Sequence, residues 1–283
     1  MKRHDLADLI QQRQWEMINA FKTKYIELLK QYYYVGGMPE VLAHFAANQD
    51  FSEVRQIQRQ ILDSYEQDFS KHAPANVVPR IRMVWNAVPA QLSKESRKFI
   101  YGLIKQGARA KEFELALAWL IDCGLIHKVN RISKPALPLK AYEDMGAFKL
   151  YLLDIGLLGA MANLDVKTLL EGNLIFTGFK GALTEQYVLQ QLVTDRDVSI
   201  FYGSSDKSNG EIDLLIQYKN ELVPIEVKAA ENLQAKSLRA FAEKNKPKMA
   251  IRTSMSDFRE ESWLTNLPLY AMNELTAYLE SKS

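Results

Sequence analysis

Apolar residues in the first 70 positions recur at steps of three and four, which is the spacing of one face of an α-helix. The pattern is interrupted at YYYVGGMPE, where two glycines and a proline stop a helix. Helices are therefore predicted on both sides of this break. The apolar positions are Ile18, Phe21, Tyr25, Leu28 and Tyr32 before it, and Val54, Ile57, Ile61, Tyr65 and Phe69 after it.

Residues 71–165 have the pattern of three helices followed by a β-ribbon. The predicted helices are PRIRMVWNAVP, bounded by prolines, and ESRKFIYGLIKQG and AKEFELALAWLIDCG, which both end at a glycine. LIHKVNRI then alternates as a strand does, and a proline-rich tip leads into the second half of the ribbon. This order predicts a winged helix, a variant of the helix-turn-helix.

The last third mixes helical and strand patterns. NLIFTGFKGALTEQYVLQQLV is predicted as a helix and VSIFYG as a strand, while EIDLLIQY and ELVPIEVKAA are predicted as strands joined by a turn at Lys219 and Asn220. The predicted fold class is α/β with an α-rich N-terminal half. Its three parts are a helical segment at 1–70, a winged-helix-like domain at 71–165 and an α/β domain at 166–283.

Positive charge is concentrated in the middle of a chain whose net charge is only +2. Between Lys71 and Lys140 there are 13 Lys or Arg residues and four Asp or Glu residues, a local net charge of +9. Such a region indicates either a polyanion partner or a solvated basic face, and DNA is the candidate partner.

The third predicted helix is acidic, at Glu112, Glu114 and Asp122, and would repel phosphate. Contact with the DNA backbone, or docking of a protein, is therefore favoured over base readout. The candidate nucleic-acid-binding residues lie on and beside the second predicted helix: Lys94, Arg97, Lys98, Lys105 and Arg109.

Cysteine content and hydropathy point to the cytoplasm. The single cysteine, Cys123, excludes a disulfide within the chain and is expected as a small buried hydrophobe in WLIDCGLI. The first residues have no apolar signal segment. The most apolar run, FKLYLLDIGLLGAMANL, contains Lys149 and Asp154, and its uncharged part is shorter than the roughly 20 residues of a membrane helix. A cytoplasmic protein with no membrane partner is predicted.

Four charged residues of the last third are the main candidates for chemistry. Glu226 and Lys228 lie two residues apart on one predicted strand and therefore face the same side. Asp213 lies on the preceding strand, next to them if the two strands pair, and Glu185 lies on the preceding helix. Clustered carboxylates suit Mg²⁺ or Mn²⁺, with Asp213 and Glu226 as the metal ligands. A neighbouring lysine can orient water or offset charge on a phosphate.

The order helix Glu, strand Asp, then Glu-x-Lys resembles the PD-(D/E)xK nuclease superfamily, which has the restriction-endonuclease-like fold. The resemblance implies metal-dependent phosphodiester hydrolysis with Glu185, Asp213, Glu226 and Lys228 as the catalytic residues. In that family the carboxylates hold the ion and the lysine helps to position the attacking water. The chain departs from the pattern in having EID where many members have Pro-Asp, although the Asp is retained.

A longer resemblance covers almost the whole chain. The runs GGMPEVLAHF, ILDSYEQDFSKH, GARAKEFELALAWLIDCGLI, KAYEDMGAFKLYLLDIGLLGAM, GFKGALTEQYVLQQL and PIEVKAAENLQAKSLRAF are similar to the C-terminal part of bacterial AAA-type ATPases with a DUF4143 domain. The resemblance implies an ATPase domain in cis, with residues 1–70 as the end of its lid. The pattern G-x-x-x-x-G-K-[ST] is absent, so we expect no ATP site in this chain and no ATPase activity from it alone.

Two functions of different classes are therefore carried forward. The leading one is a DNA-associated module of the ATPase with a nuclease-like site that uses Mg or Mn. The alternative is a non-catalytic module that binds DNA or protein and regulates the ATPase, because a fold does not by itself fix an activity. Whether the chain is an enzyme, a Mg- or Mn-dependent phosphodiesterase, depends on which of the two is right.

Overall fold

The computed structural model describes residues 3–172, 177–204, 210–231 and 234–282. Contacts divide the chain into two compact units. The three-domain division made from the sequence stays a prediction. The first unit consists of the described residues of 1–29, 130–145 and 188–283, and the second unit of those of 30–129 and 146–187.

Helices and one mixed sheet confirm the α/β fold class. The helices are α1 (Arg3–Gln11), α2 (Trp15–Ala20), α3 (Lys22–Val35), α4 (Pro39–Asn48), α5 (Phe51–His72), α6 (Val78–Leu92), α7 (Ala110–Asp122), α8 (Ile155–Met161), α9 (Thr177–Leu192), α10 (Lys236–Asn245) and α11 (Leu275–Glu280). The strands are β1 (Ile126–Ile132), β2 (Glu143–Leu152), β3 (Val198–Ser204), β4 (Glu211–Tyr218), β5 (Glu221–Val227), β6 (Ile251–Ser254), β7 (Arg259–Glu260) and β8 (Thr265–Pro268). The predicted helix at the start of the last third begins at Thr177, and its residues 173–176 lie outside the described part of the chain.

The sheet has eight strands in the order β2-β1-β3-β4-β5-β6-β8-β7. Strands β3 to β8 belong entirely to the first unit. Residues 130–132 of β1 and 143–145 of β2 belong to it as well. Strand β4 is antiparallel to both β3 and β5, whereas β5, β6 and β8 run parallel. The predicted hairpin is confirmed: Tyr218 pairs with Glu221, and Lys219 in the turn has a φ of 53°.

Helix α10 covers the sheet of the first unit through an apolar face. Leu238 packs in a buried cluster with Ile212, Ala250 and Leu264, and Phe241, three residues further along the helix, borders the same cluster. This three-residue spacing puts both side chains on one side of the helix. The packing fixes the first turn of α10 beside strands β4 and β5.

The second unit is mainly helical, and its core is aromatic. The ring of Phe69 on α5 makes edge contacts with Trp85 on α6 and Trp119 on α7. Asp154 is the N-cap of helix α8, and its carboxylate accepts hydrogen bonds from the backbone nitrogens of Leu157, at 2.9 Å, and Gly37, at 2.7 Å. Each bond satisfies a backbone donor, so Asp154 both caps α8 and holds the chain just after α3.

The helix predicted over residues 95–107 is wrong. The described chain has only a 3₁₀ helix there, at Tyr101–Leu103. Arg97 takes a left-handed φ of 50°, and the backbone nitrogen of Phe99 donates to the carbonyl of Phe148 at 2.8 Å instead of to a helical partner. These features are incompatible with a continuous α-helix. The winged-helix assignment itself stays a prediction.

Two smaller expectations about composition have different outcomes. Cys123 is exposed, so its prediction as a buried residue is wrong; it lies at the C-terminal end of α7, past the buried face of that helix. In the described parts of the chain, no helix is both long enough and apolar enough to cross a membrane.

Candidate functional site

A bulge in β4 positions Asp213. The pairing of β3 with β4 shifts between Phe201, opposite Leu215, and Gly203, opposite Ile212, so three steps on β4 match two steps on β3. Asp213 lies in this irregular stretch, where the strict alternation of side chains is broken. Its Oδ2 accepts a hydrogen bond of 2.8 Å from the backbone nitrogen of Val227. The Asp213 carboxylate therefore reaches the end of β5.

Glu226 and Lys228 lie on either side of Val227 in the chain. The Nζ of Lys228 lies 2.5 Å from Oε1 of Glu226, and the backbone nitrogen of Leu238, in the first turn of α10, donates to Oε2 of Glu226 at 3.3 Å. The Glu226 side chain is almost fully buried, whereas the Lys228 side chain is 30% exposed. The charge of Glu226 is thus balanced by one ammonium group and by the N-terminal end of a helix, which favours negative charge.

Glu185 belongs to the second unit, where three side chains of that unit surround its carboxylate. Lys149 Nζ lies 3.0 Å from Oε1, and the hydroxyl of Tyr151 donates to the same oxygen. The guanidinium of Arg97 donates to Oε2. Lys149 and Tyr151 are two residues apart on β2 and so point to the same face. We name these four residues the Glu185 cluster.

Charge within the Glu185 cluster keeps the carboxylate ionised. Complete burial acts to raise the pKa of Glu185, but the charges of Lys149 and Arg97 and the hydrogen bond from Tyr151 outweigh that effect. The pKa of Glu185 therefore lies below its ordinary value. A buried carboxylate remains charged when it is paired and hydrogen-bonded in this way.

The backbone around the Glu185 cluster is adapted to it. Gly181 lies one helical turn before Glu185 on α9, and a Cβ atom there would come within 2.9 Å of the Arg97 guanidinium. Gln186, which follows Glu185, accepts a hydrogen bond from the backbone nitrogen of Leu152 at 2.9 Å. Its side-chain nitrogen donates to the carbonyl of Leu152 at 2.7 Å. These contacts fix α9 against β2 inside the second unit.

Of the four predicted catalytic residues, the structure brings together Asp213, Glu226 and Lys228 in the first unit. The described residues contain no group of three or more His, Cys, Asp or Glu side chains able to hold a metal ion. Within the group Asp213, Glu226 and Lys228, the carboxylates that could contact a metal ion are those of Asp213 and Glu226. The four-residue site including Glu185 stays a prediction.

The basic residues proposed for nucleic acid lie between α6 and α7 of the second unit. Arg97 is partly buried through its contact with Glu185. Lys94, Lys98, Lys105 and Arg109 have exposed side chains. A segment of turns with a short 3₁₀ helix at Tyr101–Leu103, rather than an α-helix, therefore presents four of the five residues to solvent.

Sequence reasoning missed Lys149, Tyr151 and Arg252. Lys149 is fully buried, and the signal was a lone cation in the apolar run FKLYLL, which requires an acidic partner in the folded protein. Arg252, in AIRTS, is the residue of β6 that pairs in register with Glu226 and is 2% exposed. The partners of such residues cannot be identified without the fold.

Two segments of the chain match family models. Residues 26–168, just over half of its length, match the family model described as Domain of unknown function (DUF8612). The chain belongs to that family. Residues 180–272 match Domain of unknown function (DUF4143), which confirms the DUF4143 part of the resemblance noted in the sequence. The DUF8612 match includes Arg97 and Lys149, whereas the DUF4143 match includes Glu185, Asp213, Glu226 and Lys228.

Comparisons with individual proteins add little to the family matches. No curated protein matches the chain. Among solved structures, the crystal structure of protein VC1899 from Vibrio cholerae is 15% identical over 81% of this chain, with a TM-score of 0.26. The match covers 56% of that protein's chain. A likeness of this size supports neither a fold nor a function.

Proposed function

We propose that this DUF8612 and DUF4143 chain is part of a bacterial AAA-type ATPase and that its first unit hydrolyses phosphodiester bonds in DNA. The residues would be Asp213, Glu226 and Lys228. The observation that carries the proposal is the 2.8 Å hydrogen bond from the Val227 nitrogen to Asp213, because it fixes the Asp213 carboxylate at the residue that separates Glu226 from Lys228 in the chain. The chain has no Walker A pattern, so ATP hydrolysis would need a separate domain.

The chemistry of the donors fits Mg²⁺ or Mn²⁺. Both ions prefer carboxylate oxygens, and Mg²⁺ is commonly held by one or two carboxylates with water and phosphate oxygens completing its shell. Asp213 and Glu226 would hold the ion. When bound, such an ion acts as a Lewis acid and makes its water a stronger nucleophile at neutral pH.

The remaining residues would orient the carboxylates and the phosphate. The nitrogens of Val227 and Leu238 each donate to one carboxylate and restrain its rotation. Lys228 pairs with Glu226 at 2.5 Å, yet 30% of its side chain is in contact with solvent. Its ammonium group would therefore be able to approach a phosphate and offset the negative charge that develops during hydrolysis.

The non-catalytic alternative also has a specific observation in its favour. Glu226 already has a lysine partner and a backbone donor, and Glu185 already has two cations and a tyrosine hydroxyl. Carboxylates satisfied in this way can serve structure alone. The chain would then bind DNA or a protein, with Lys94, Lys98, Lys105 and Arg109 supplying positive charge.

Nuclease assays on the full chain with charge-neutral variants would test the proposal. Asp213→Asn keeps an oxygen that can accept from Val227, and Glu226→Gln keeps one for Leu238, so each removes mainly the charge. We expect both changes to abolish Mn²⁺-dependent cleavage of single- or double-stranded DNA and to weaken Mn²⁺ binding in calorimetry. Lys228→Met should retain Mn²⁺ binding but slow cleavage by about 10²–10³-fold.

Glu243→Gln is the matched control, because Glu243 is an exposed carboxylate on α10 of the same unit. It should cleave as the unchanged chain does. Cleavage that survives in Asp213→Asn would contradict the assignment of the site. If Mn²⁺ and Mg²⁺ support no cleavage while DNA binding is intact, the non-catalytic module is the better account.

A further inference from the structure

A cavity of about 330 Å³ in the first unit has three cations among its eight lining residues. Lys236 and Arg239 contribute from α10, Arg252 from β6, and Trp263 from the segment before β8, while Glu261 is the acidic residue of the lining. The volume is at the lower end of the range for small-molecule sites. Three cations against one carboxylate make the cavity suitable for an anion.

Arg252 is held rigidly in the wall of this cavity. It is 2% exposed, and its Nε donates to Oδ1 of Asn266 at 2.9 Å. The amide nitrogen of Asn266 donates in turn to the carbonyls of Ser256, at 3.2 Å, and Asp257, at 2.8 Å, which fixes the orientation of the Asn266 oxygen. Because the guanidinium is already oriented, it would lose little conformational freedom on binding an anion.

Arg239 and Trp263 form the second wall. The Arg239 guanidinium lies over the Trp263 ring, 5.3 Å from its centre, and the ring is partly exposed. A flat aromatic surface next to a cation is suited to a heteroaromatic base joined to a phosphate, because the ring stacks on the base while the cation pairs with the phosphate. The cavity thus offers both groups that a nucleotide requires.

The cavity is connected to the Asp213–Glu226–Lys228 site through two neighbouring elements. Arg252 and Glu226 are register partners on parallel strands and point to the same face. The first turn of α10 carries Lys236 at the cavity and Leu238, whose nitrogen donates to Glu226. A strand of nucleic acid with a scissile phosphate near Glu226 would place another nucleotide close to Arg252.

We propose that this cavity is a nucleotide-binding subsite in which Arg239, Arg252 and Lys236 bind a phosphate group and Trp263 stacks on the base. Its identification as a subsite for a nucleic-acid strand rests on the proposed function. Binding of a nucleotide does not, because it requires neither the metal nor cleavage. A free nucleoside monophosphate and a nucleotide within a strand share this chemistry.

Glu261 provides an internal competitor for the phosphate. Its Oε1 lies 3.9 Å from the terminal nitrogen of Arg252 and 3.4 Å from Nε of Arg259. A phosphate entering the cavity would meet this carboxylate and be repelled by it. Removing the charge of Glu261 should therefore strengthen binding, which a merely structural role for the cavity does not predict.

Calorimetry with a nucleoside 5′-monophosphate, inorganic phosphate and a short single-stranded oligonucleotide, without divalent metal, tests the subsite. We expect Arg239→Met to weaken binding of the monophosphate by about tenfold, from loss of a charged hydrogen bond. Glu261→Gln should strengthen it severalfold. Lys244→Met, which removes an exposed cation on α10 outside the cavity, should leave it unchanged.

The arms of this experiment separate the possible failures. Binding that persists in Asp213→Asn supports the subsite even if the chain never cleaves DNA, whereas tighter binding of the oligonucleotide than of the monophosphate supports its use by a strand. Equal affinities for inorganic phosphate and the monophosphate would overturn the role of Trp263. Arg239→Met and Glu261→Gln affinities equal to that of the unchanged chain would overturn the proposal as a whole.

Discussion

Glu226 in the first unit and Glu185 in the second are both buried carboxylates, but their surroundings differ. Among the described residues, Glu226 has one ion-pair partner, Lys228, whose side chain is 30% exposed. Glu185 has two, Lys149 and Arg97, with side-chain exposures of 0% and 19%, and a tyrosine hydroxyl as well. The partner of the first carboxylate is in contact with solvent, and the second carboxylate is enclosed by its partners.

Burial of a carboxylate is therefore not enough to assign it to catalysis. A group that works on a substrate must be able to replace its resident partner with a metal or phosphate, which a solvent-facing lysine allows. A group with one buried and one partly buried cation would leave both uncompensated if it changed partners, at a large cost in free energy. Glu185 therefore has the surroundings of a structural ion cluster, whereas the lysine partner of Glu226 is in contact with solvent, as the proposed site requires.

Glu185→Gln should produce the largest effect on stability. Without the carboxylate charge, Lys149 and Arg97 remain as two close cations, so we expect a loss of about 3–5 kcal/mol in the free energy of unfolding. Glu226→Gln removes a charge that faces the partly exposed Lys228 and the neighbouring Arg252, and it should cost about 1–2 kcal/mol because the Lys228 side chain is in contact with solvent. Urea unfolding followed by circular dichroism measures both.

Two exposed carboxylates serve as controls for these changes, Glu95 in the second unit and Glu243 in the first. Their replacement by Gln should alter stability by no more than about 0.5 kcal/mol. A Glu226→Gln loss as large as that of Glu185→Gln would remove the distinction between the two sites.

The next largest effect should be the contribution of Glu185 to the pH dependence of the free energy of unfolding. Its pKa in the folded protein is lowered, so the unfolded chain takes up the proton at a higher pH than the folded chain does. The stability from its charged form is complete above the unfolded value of about 4.3 and is lost as the pH falls through the folded value. The stability difference between the unchanged chain and Glu185→Gln should stay constant near neutral pH and shrink below about pH 4.3.

Urea unfolding at a series of pH values measures this difference directly. If the stability difference between the unchanged chain and Glu185→Gln stayed constant down to about pH 3, well below the unfolded glutamate pKa, then the charge of Glu185 would not contribute to stability.

The smallest expected effect concerns the basic segment between α6 and α7. Because Arg97 is engaged by Glu185, its contribution to DNA binding should be smaller than those of the exposed Lys98 and Arg109. Lys98→Ala and Arg109→Ala should each reduce the slope of log K against log salt by about 0.9 on duplex DNA, if each contacts one phosphate. Fluorescence anisotropy across salt concentrations measures the slope. Equal slope changes for Arg97→Ala and Lys98→Ala would contradict the assignment.

Local patterns predicted a large part of the fold. The helix at Phe51–His72, the hairpin at Lys219 and the neighbouring strands β4 and β5 follow from periodicity and turn residues, because these signals operate between near neighbours in the chain. The expected helix at 95–107 failed for a non-local reason. Its backbone bonds to Phe148, almost 50 positions away, and no local signal encodes that contact.

The candidate site was also predicted in part, where its contacts join residues that are close in the chain. The two-residue step from Glu226 to Lys228 indicated a shared strand face, and their 2.5 Å contact agrees with it. The position of Asp213 depends on a bulge, which changes the alternation on which sequence reasoning relies. Lys149 and Tyr151 were not recognised as partners of Glu185, because more than 30 residues separate them from it.

Residue type and short-range spacing predicted many of the helices and strands and showed which side chains carry charge, although the segment at 95–107 did not form its predicted helix. Which charges meet depends on the tertiary structure. The fold placed Lys149 and Arg97 beside Glu185, placed Lys228 beside Glu226, and gathered Arg239, Arg252 and Trp263 around one cavity. The physical reason is that the environment of a charge is set by groups distant in sequence, and their approach is fixed by the packing of the whole unit.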